Sequence, residues 1–287
     1  MLELLQYTFM QRALLSAVLI GAVCAMIGVY VVLKGLSFIG AGVAHASFGG
    51  VALGFFLGIN PTYTAFGFCL VIAWLIGWVS EKGKIKEDTA VGIFFASTMA
   101  FGILLIGFIK GYNVDLFGYI FGNILAVTTA DLWASFIMAV IIIFLLVYFY
   151  KELLFITFDP EMAEITGVPV RKLSYLLLSL IALTVVLSIK SVGVVLVSAL
   201  IVTPAAAAYQ LTDNFKTMML LSILIGVGSS IIGLFVSYWL DTSSGATIVL
   251  TATLTFFLAS WLSPKRKRLK LNKRNLQLTS QSKACEI

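Results

Sequence analysis

The chain reads as long apolar runs separated by brief clusters of charge. Stretches free of Asp, Glu, Lys and Arg cover residues 13–33, 35–80, 89–109, 132–150, 173–189, 191–212, 217–240 and 242–264. None alternates with period two over a useful length, so the runs predict helices rather than barrel strands. A helix crossing hydrocarbon satisfies its backbone polar groups internally and needs roughly 20 mostly apolar residues. The run 35–80 is long enough for two such helices and breaks at Asn60-Pro61, where proline prevents helix continuation. About nine segments result. The runs on either side of Lys190 also fit a tight hairpin or a bent pair, so the expected count spans eight to ten.

Composition agrees with the pattern: 61% of the 287 residues are hydrophobic, 11% are charged and the mean hydropathy is +1.07. The predicted class is an all-α integral membrane protein, a polytopic bundle of transmembrane helices. Lys82, Lys84 and Lys86, the loop from Lys151 to Lys172 and the basic run from Lys265 to Arg274 all fall on one side of a nine-helix path. By the positive-inside rule that side is cytoplasmic. Lys34 joins it if the second and third segments both span, and the N-terminus then lies outside. No basic region precedes the first apolar run, and Arg12 sits between the terminus and the span, so no cleavable signal is expected.

The predicted transmembrane domain covers residues 1–264, and a basic cytoplasmic tail, polar enough to be disordered, covers 265–287. The tail supplies much of the net charge of +6. Placed directly after a span, it reads as a topology anchor against anionic lipid headgroups rather than a nucleic-acid site. Cys24 and Cys69 lie in apolar runs and Cys285 in the tail, with no CxxC, so they read as reduced packing residues.

Candidate chemistry centres on His45, the one histidine, set in the glycine-punctuated stretch from Gly40 to Gly50. An intramembrane imidazole either hydrogen-bonds a neighbouring helix or lines a path for a metal ion or proton. Ser47 is a weak ligand or bonds back to its own helix. Gly40, Gly42, Gly49 and Gly50 fit close helix packing or an unwound turn. Thr203-Pro204 predicts a kink, and Ala205 to Ala208 a narrow packing face. Asp115, Asp131 and Asp241 fall at predicted outer helix ends as caps.

A second element lies at 158–171, on the cytoplasmic side. Asp159 can cap a helix whose first position is Pro160, and Glu161 and Glu164 suit its N-terminal turns. Gly167 can end it and Pro169 blocks resumption. This is either an ordinary connecting helix or a rigid lever docking in a separate motor protein.

The segments Ala44–Leu53, Glu87–Gly92, Asp115–Leu125, Phe158–Arg171, Lys190–Ala208 and Leu240–Leu250 together resemble the permease subunit of bacterial zinc and manganese ATP-binding-cassette importers. The resemblance spans nearly the whole chain apart from the tail. It implies a type II importer permease in the bacterial cytoplasmic membrane. Two copies would form the pore, ATP-binding cassette subunits would dock below, and an extracellular or periplasmic metal-binding protein would deliver the ion. It places His45 and Ser47 on the translocation path and Asp159, Glu161, Glu164 and Gly167 in the coupling to the ATPase. Asp115 becomes a candidate contact for the delivering protein.

The family commonly carries Asp four residues before the histidine, and here that position is Ala41. An imidazole without that carboxylate leans toward zinc, with manganese or iron as further candidates. The metal is expected as cargo, with no permanently bound cofactor. No G-x-x-x-x-G-K-[ST] phosphate loop occurs, so ATP hydrolysis is expected on a partner chain and the permease is not expected to be an enzyme. The alternative, an ion-coupled secondary transporter working without an ATPase, would ordinarily carry carboxylates inside its spans. The charge-free runs hold none.

Overall fold

The protein, seen as a computed structural model, is described over residues 7–109 and 127–263. Asp115 and the tail 265–287 lie outside the described residues. All regular structure within them is helical: α1 Thr8–Leu33, α2 Ile39–Leu57, α3 Pro61–Gly83, α4 Glu87–Phe108, α5 Thr129–Tyr148, α6 Tyr150–Phe158, α7 Pro160–Ile165, α8 Val170–Val192, α9 Val194–Leu211, α10 Phe215–Leu240 and α11 Ser244–Leu262. Nine of these, all but α6 and α7, are long and apolar enough to cross a membrane. The expected polytopic bundle is therefore present, with its central count.

The breaks follow local chemistry. At the end of α2, Gly58 adopts φ +68°, and the Asn60 side chain then accepts a hydrogen bond from Thr62 N at 3.0 Å to start α3 at Pro61. Between α8 and α9 a single residue, Gly193 at φ +82°, turns the chain, so the two runs beside Lys190 are two helices. At the start of α5, Thr128 and Asp131 form a reciprocal capping box. Asp241 is the left-handed C-cap of α10.

α1, α2 and α8 are the most buried spans. α2 packs against α3, α4, α8 and α9, while α1 packs against α5, α8, α9 and α10. Lipid tails are as apolar as leucine, so close van der Waals approach rather than water exclusion holds such helices together. Small residues make that approach possible. Gly226 of α10 lies where a Cβ would stand 2.9 Å from the Gly21 carbonyl and from Ala25 Cβ, and Ser222 Oγ donates to the Ala25 carbonyl at 2.9 Å. Pro204 lies inside α9, and Ala205, Ala207 and Ala208 beyond it are buried, which puts the alanine string to use in packing.

Gly28 of α1 is tighter still, since a methyl group there would overlap the Ile201 carbonyl of α9. Gly28→Ala is therefore expected to destabilise the bundle by about 1–2 kcal/mol, overpacking outweighing alanine's better helix propensity. A lower midpoint of thermal unfolding in detergent is the readout, and an unchanged midpoint would contradict this packing.

Two features bring the charged loops to one end. Arg171 Nε, one residue into α8, pairs with Glu81 Oε2 near the end of α3 at 3.1 Å. Exposed on both sides, the pair contributes little energy but marks a shared face. Lys34, just past α1, senses Glu87 at the start of α4; burial pushes its pKa below the ordinary lysine value and Glu87 opposes that shift. Cys24 and Cys69 are buried free thiols, as their apolar setting predicts.

Candidate functional site

α2 is a continuous helix through the whole glycine-rich stretch. Gly42, Gly49 and Gly50 form a seam of close contacts with its neighbours. Gly42 faces Val91 of α4 with no room for a side chain, and a Cβ at Gly49 would come within 2.9 Å of the Thr98 carbonyl. Gly50 meets Ala65 of α3 in the same way, at 2.7 Å from its Cα. The glycines thus serve close approach, and no turn of the helix is unwound.

Beside the seam lie Ala41, His45 and Phe48, spaced as helical neighbours and all partly exposed, with Gly49 one turn after His45 and the Phe48 ring close to Gly102 of α4. The His45 ring stands edge-on to Phe95 of α4, with centroids 4.7 Å apart. Among the described residues, no three His, Cys, Asp or Glu side chains converge. Ala41 sits one turn before His45, where a carboxylate would share its face. Ser47 points elsewhere: it is buried, two residues and about 200° around the helix from His45, and its Oγ donates to the Ala44 carbonyl at 2.6 Å. Its hydroxyl proton is thereby committed within its own helix.

The short element at 158–171 is built as its residues predict. Asp159 Oδ1 accepts from Met162 N at 2.9 Å, and Pro160 opens α7. At the other end, Val168 N donates to the Ala163 carbonyl and Gly167 N to the Glu164 carbonyl, both at 3.0 Å, with Gly167 at φ +84°. That crossed pair is a Schellman ending, which requires the left-handed residue glycine supplies. Ala163 is fully buried against the bundle, so the short helix is anchored by one face.

Its outward face carries more than the two glutamates. Met162 is 53% exposed and Ile165 79% exposed, an apolar pair beside Glu161 and Glu164. The sequence reading missed both, because apolar residues in a short helix ordinarily read as inward. It also missed α6, which begins directly after α5 at the Phe149 joint and buries Leu153 and Ile156. Their i, i+3 spacing was the available signal.

Nine long apolar helices among the described residues, a partly exposed imidazole on a central one and a capped short helix beside the bundle define a multi-pass membrane protein. The profile of the ABC 3 transport family matches residues 6–263, and the chain belongs to that family. The chain is 43% identical over 273 residues to the manganese transport system membrane protein MntC of Listeria monocytogenes, an alignment covering 95% of this chain and 97% of that one. To the manganese import system permease protein ScaB of Streptococcus gordonii it is 40% identical over 264 residues, with 92% and 95% covered. Among solved structures, PsaBC from Streptococcus pneumoniae in complex with Fab superposes with a TM-score of 0.84 at 39% identity, covering 94% of this chain and 98% of that one.

The chain is accordingly the permease subunit of an ATP-binding-cassette metal importer, a multi-pass protein of the cell membrane and a transport subunit rather than an enzyme. Membership sets aside the stand-alone secondary transporter.

Proposed function

We propose that this permease carries manganese(II) into the bacterial cytoplasm, with two copies enclosing a path lined by the Ala41–His45 face of α2. The observation that carries the reading is the placement of His45. An imidazole on a partly exposed face between Ala41 and Phe48 is poorly matched to lipid, and it suits a water-filled path or a second copy. A cation there meets one imidazole per copy, with waters or backbone carbonyls completing the shell. Such a loose set of neutral, oxygen-rich ligands suits manganese and transit, because conduction needs a site the ion can leave. The names of the relatives favour manganese.

Zinc is the second reading, favoured by the absent carboxylate at Ala41, since an imidazole without hard oxygen partners ranks zinc above manganese. In either case an ATP-binding cassette subunit docks on α7 through Glu161, Glu164, Met162 and Ile165, with Asp159 and Gly167 holding the helix in shape. An extracellular or periplasmic metal-binding protein delivers the ion, and Asp115 is its proposed contact.

The purified chain alone is expected to run as a homodimer in detergent and neither to bind nor to hydrolyse ATP. Light scattering and a nucleotide-binding assay check this. A monomer, or ATPase activity free of any partner, would overturn it.

A further inference from the structure

We propose that Phe215 is the positioning residue through which movement of the cytoplasmic lever reaches the helix that carries His45. This rests on the reading of α7 as the docking point for a motor subunit. Phe215 is the first residue of α10, and its backbone is held by Asn214, whose side chain accepts from Lys216 N at 3.0 Å and Thr217 N at 3.4 Å. The Phe215 ring meets three others, from Tyr30 at the end of α1 (5.4 Å), Tyr150 at the start of α6 (5.7 Å) and Phe158 at its end (6.5 Å).

The arrangement is directional. Phe158 is 64% exposed and is followed at once by Asp159, the cap of α7, whereas Tyr30 is fully buried. Tyr150 and Phe158 are the two ends of α6, so a single ring clamps that helix at both ends. A tilt or rotation of α6 must displace Phe215 or break one of the two contacts. Packed interfaces of this kind switch between discrete arrangements rather than deform smoothly.

Beyond the ring cluster the path continues by close contact. Two residues before Tyr30, Gly28 abuts the Ile201 carbonyl of α9. The Ile201 side chain in turn lies 3.5 Å from where a Cβ of Gly40 on α2 would stand. His45 is five residues further along that helix. The sequence thus runs from the lever to Phe215, Tyr30, Gly28 and Ile201, whose side chain faces Gly40. Contiguity alone does not establish coupling, so the test measures coupling itself.

The experiment uses the permease reconstituted with its ATPase subunit in proteoliposomes, with manganese(II) as the probe. Phe215→Ala is expected to assemble and hydrolyse ATP while metal imported per ATP hydrolysed falls about tenfold, within the usual range of allosteric coupling factors. Phe215→Tyr, which keeps the ring, should restore the ratio. Tyr30→Phe should leave it unchanged, because the Tyr30 hydroxyl has no hydrogen-bond partner among the described residues and only its ring serves the cluster. Should Phe215→Ala fail to assemble, Phe158→Ala decides, since that exposed ring is not needed for the core; a similar direction of change is expected.

A wild-type ratio in Phe215→Ala, or in Phe158→Ala where the first does not assemble, would overturn the proposal. Absence of ATP-driven uptake in the wild-type complex would instead overturn the proposed function. The proposal is then judged by Phe215→Trp, whose emission should change when ATP is added to the assembled complex, and an unchanged spectrum would sink it.

Discussion

His45→Ala is expected to reduce metal uptake by the assembled importer at least about tenfold, since losing even an outer partner of a metal ligand costs roughly 10–100-fold. The partly exposed imidazole lies one turn before Gly49, beside the Gly42, Gly49 and Gly50 contacts to α3 and α4 rather than across the helix from them. Those contacts are approaches of the α2 backbone, which truncating the neighbouring imidazole leaves in place, so normal expression and ATPase recruitment are expected. The ring touches Phe95 edge-on, so a modest loss of packing accompanies the variant. Ala41→Asp supplies the complementary perturbation. A carboxylate one turn before His45 adds charge and a hard oxygen ligand, which should tighten metal occupancy and slow release. Uptake at the wild-type rate in His45→Ala would show that the ion passes without meeting this residue.

Reversal of both Glu161 and Glu164 to lysine is expected to lower transport by about tenfold or more, as loss of a coupling contact does. Both side chains belong to the outward face of α7, beside exposed Met162 and Ile165, while Ala163 anchors the opposite face. The substitutions therefore reach the docking surface without touching the core. Glu161→Lys also places positive charge in the first turn of α7, which the helix dipole disfavours, so circular dichroism of the membrane domain accompanies the uptake measurement. Co-purification of the ATPase subunit at the wild-type ratio, together with unchanged uptake, would make α7 a mere connector.

The order of spans was legible because charge is so costly inside hydrocarbon that its absence marks each crossing. The Asn60-Pro61 break and the ends of α7 were legible for a local reason: Pro61, Asp159, Pro160 and Gly167 act within a few residues of themselves. The seam formed by Gly21, Ala25, Ser222 and Gly226 was not, although its four-residue spacing is visible once sought. A small residue in an apolar run does not name its partner helix. Nor did the sequence show that the Ser47 hydroxyl donates to the Ala44 carbonyl. The side of α2 on which His45 lies likewise required tertiary packing, as did the outward placement of Met162 and Ile165.

The leaning toward zinc rests on one imidazole with Ala41 where a carboxylate would stand. The relatives' names point the other way.

The central claim is tested most directly by uptake of radiolabelled manganese into proteoliposomes holding the wild-type permease, its ATPase subunit and its metal-delivering protein. Accumulation that requires ATP, survives collapse of proton and sodium gradients, and is displaced by excess unlabelled manganese more readily than by zinc is the predicted result. Accumulation driven by an ion gradient without ATP, or none with all three components and ATP present, would contradict it.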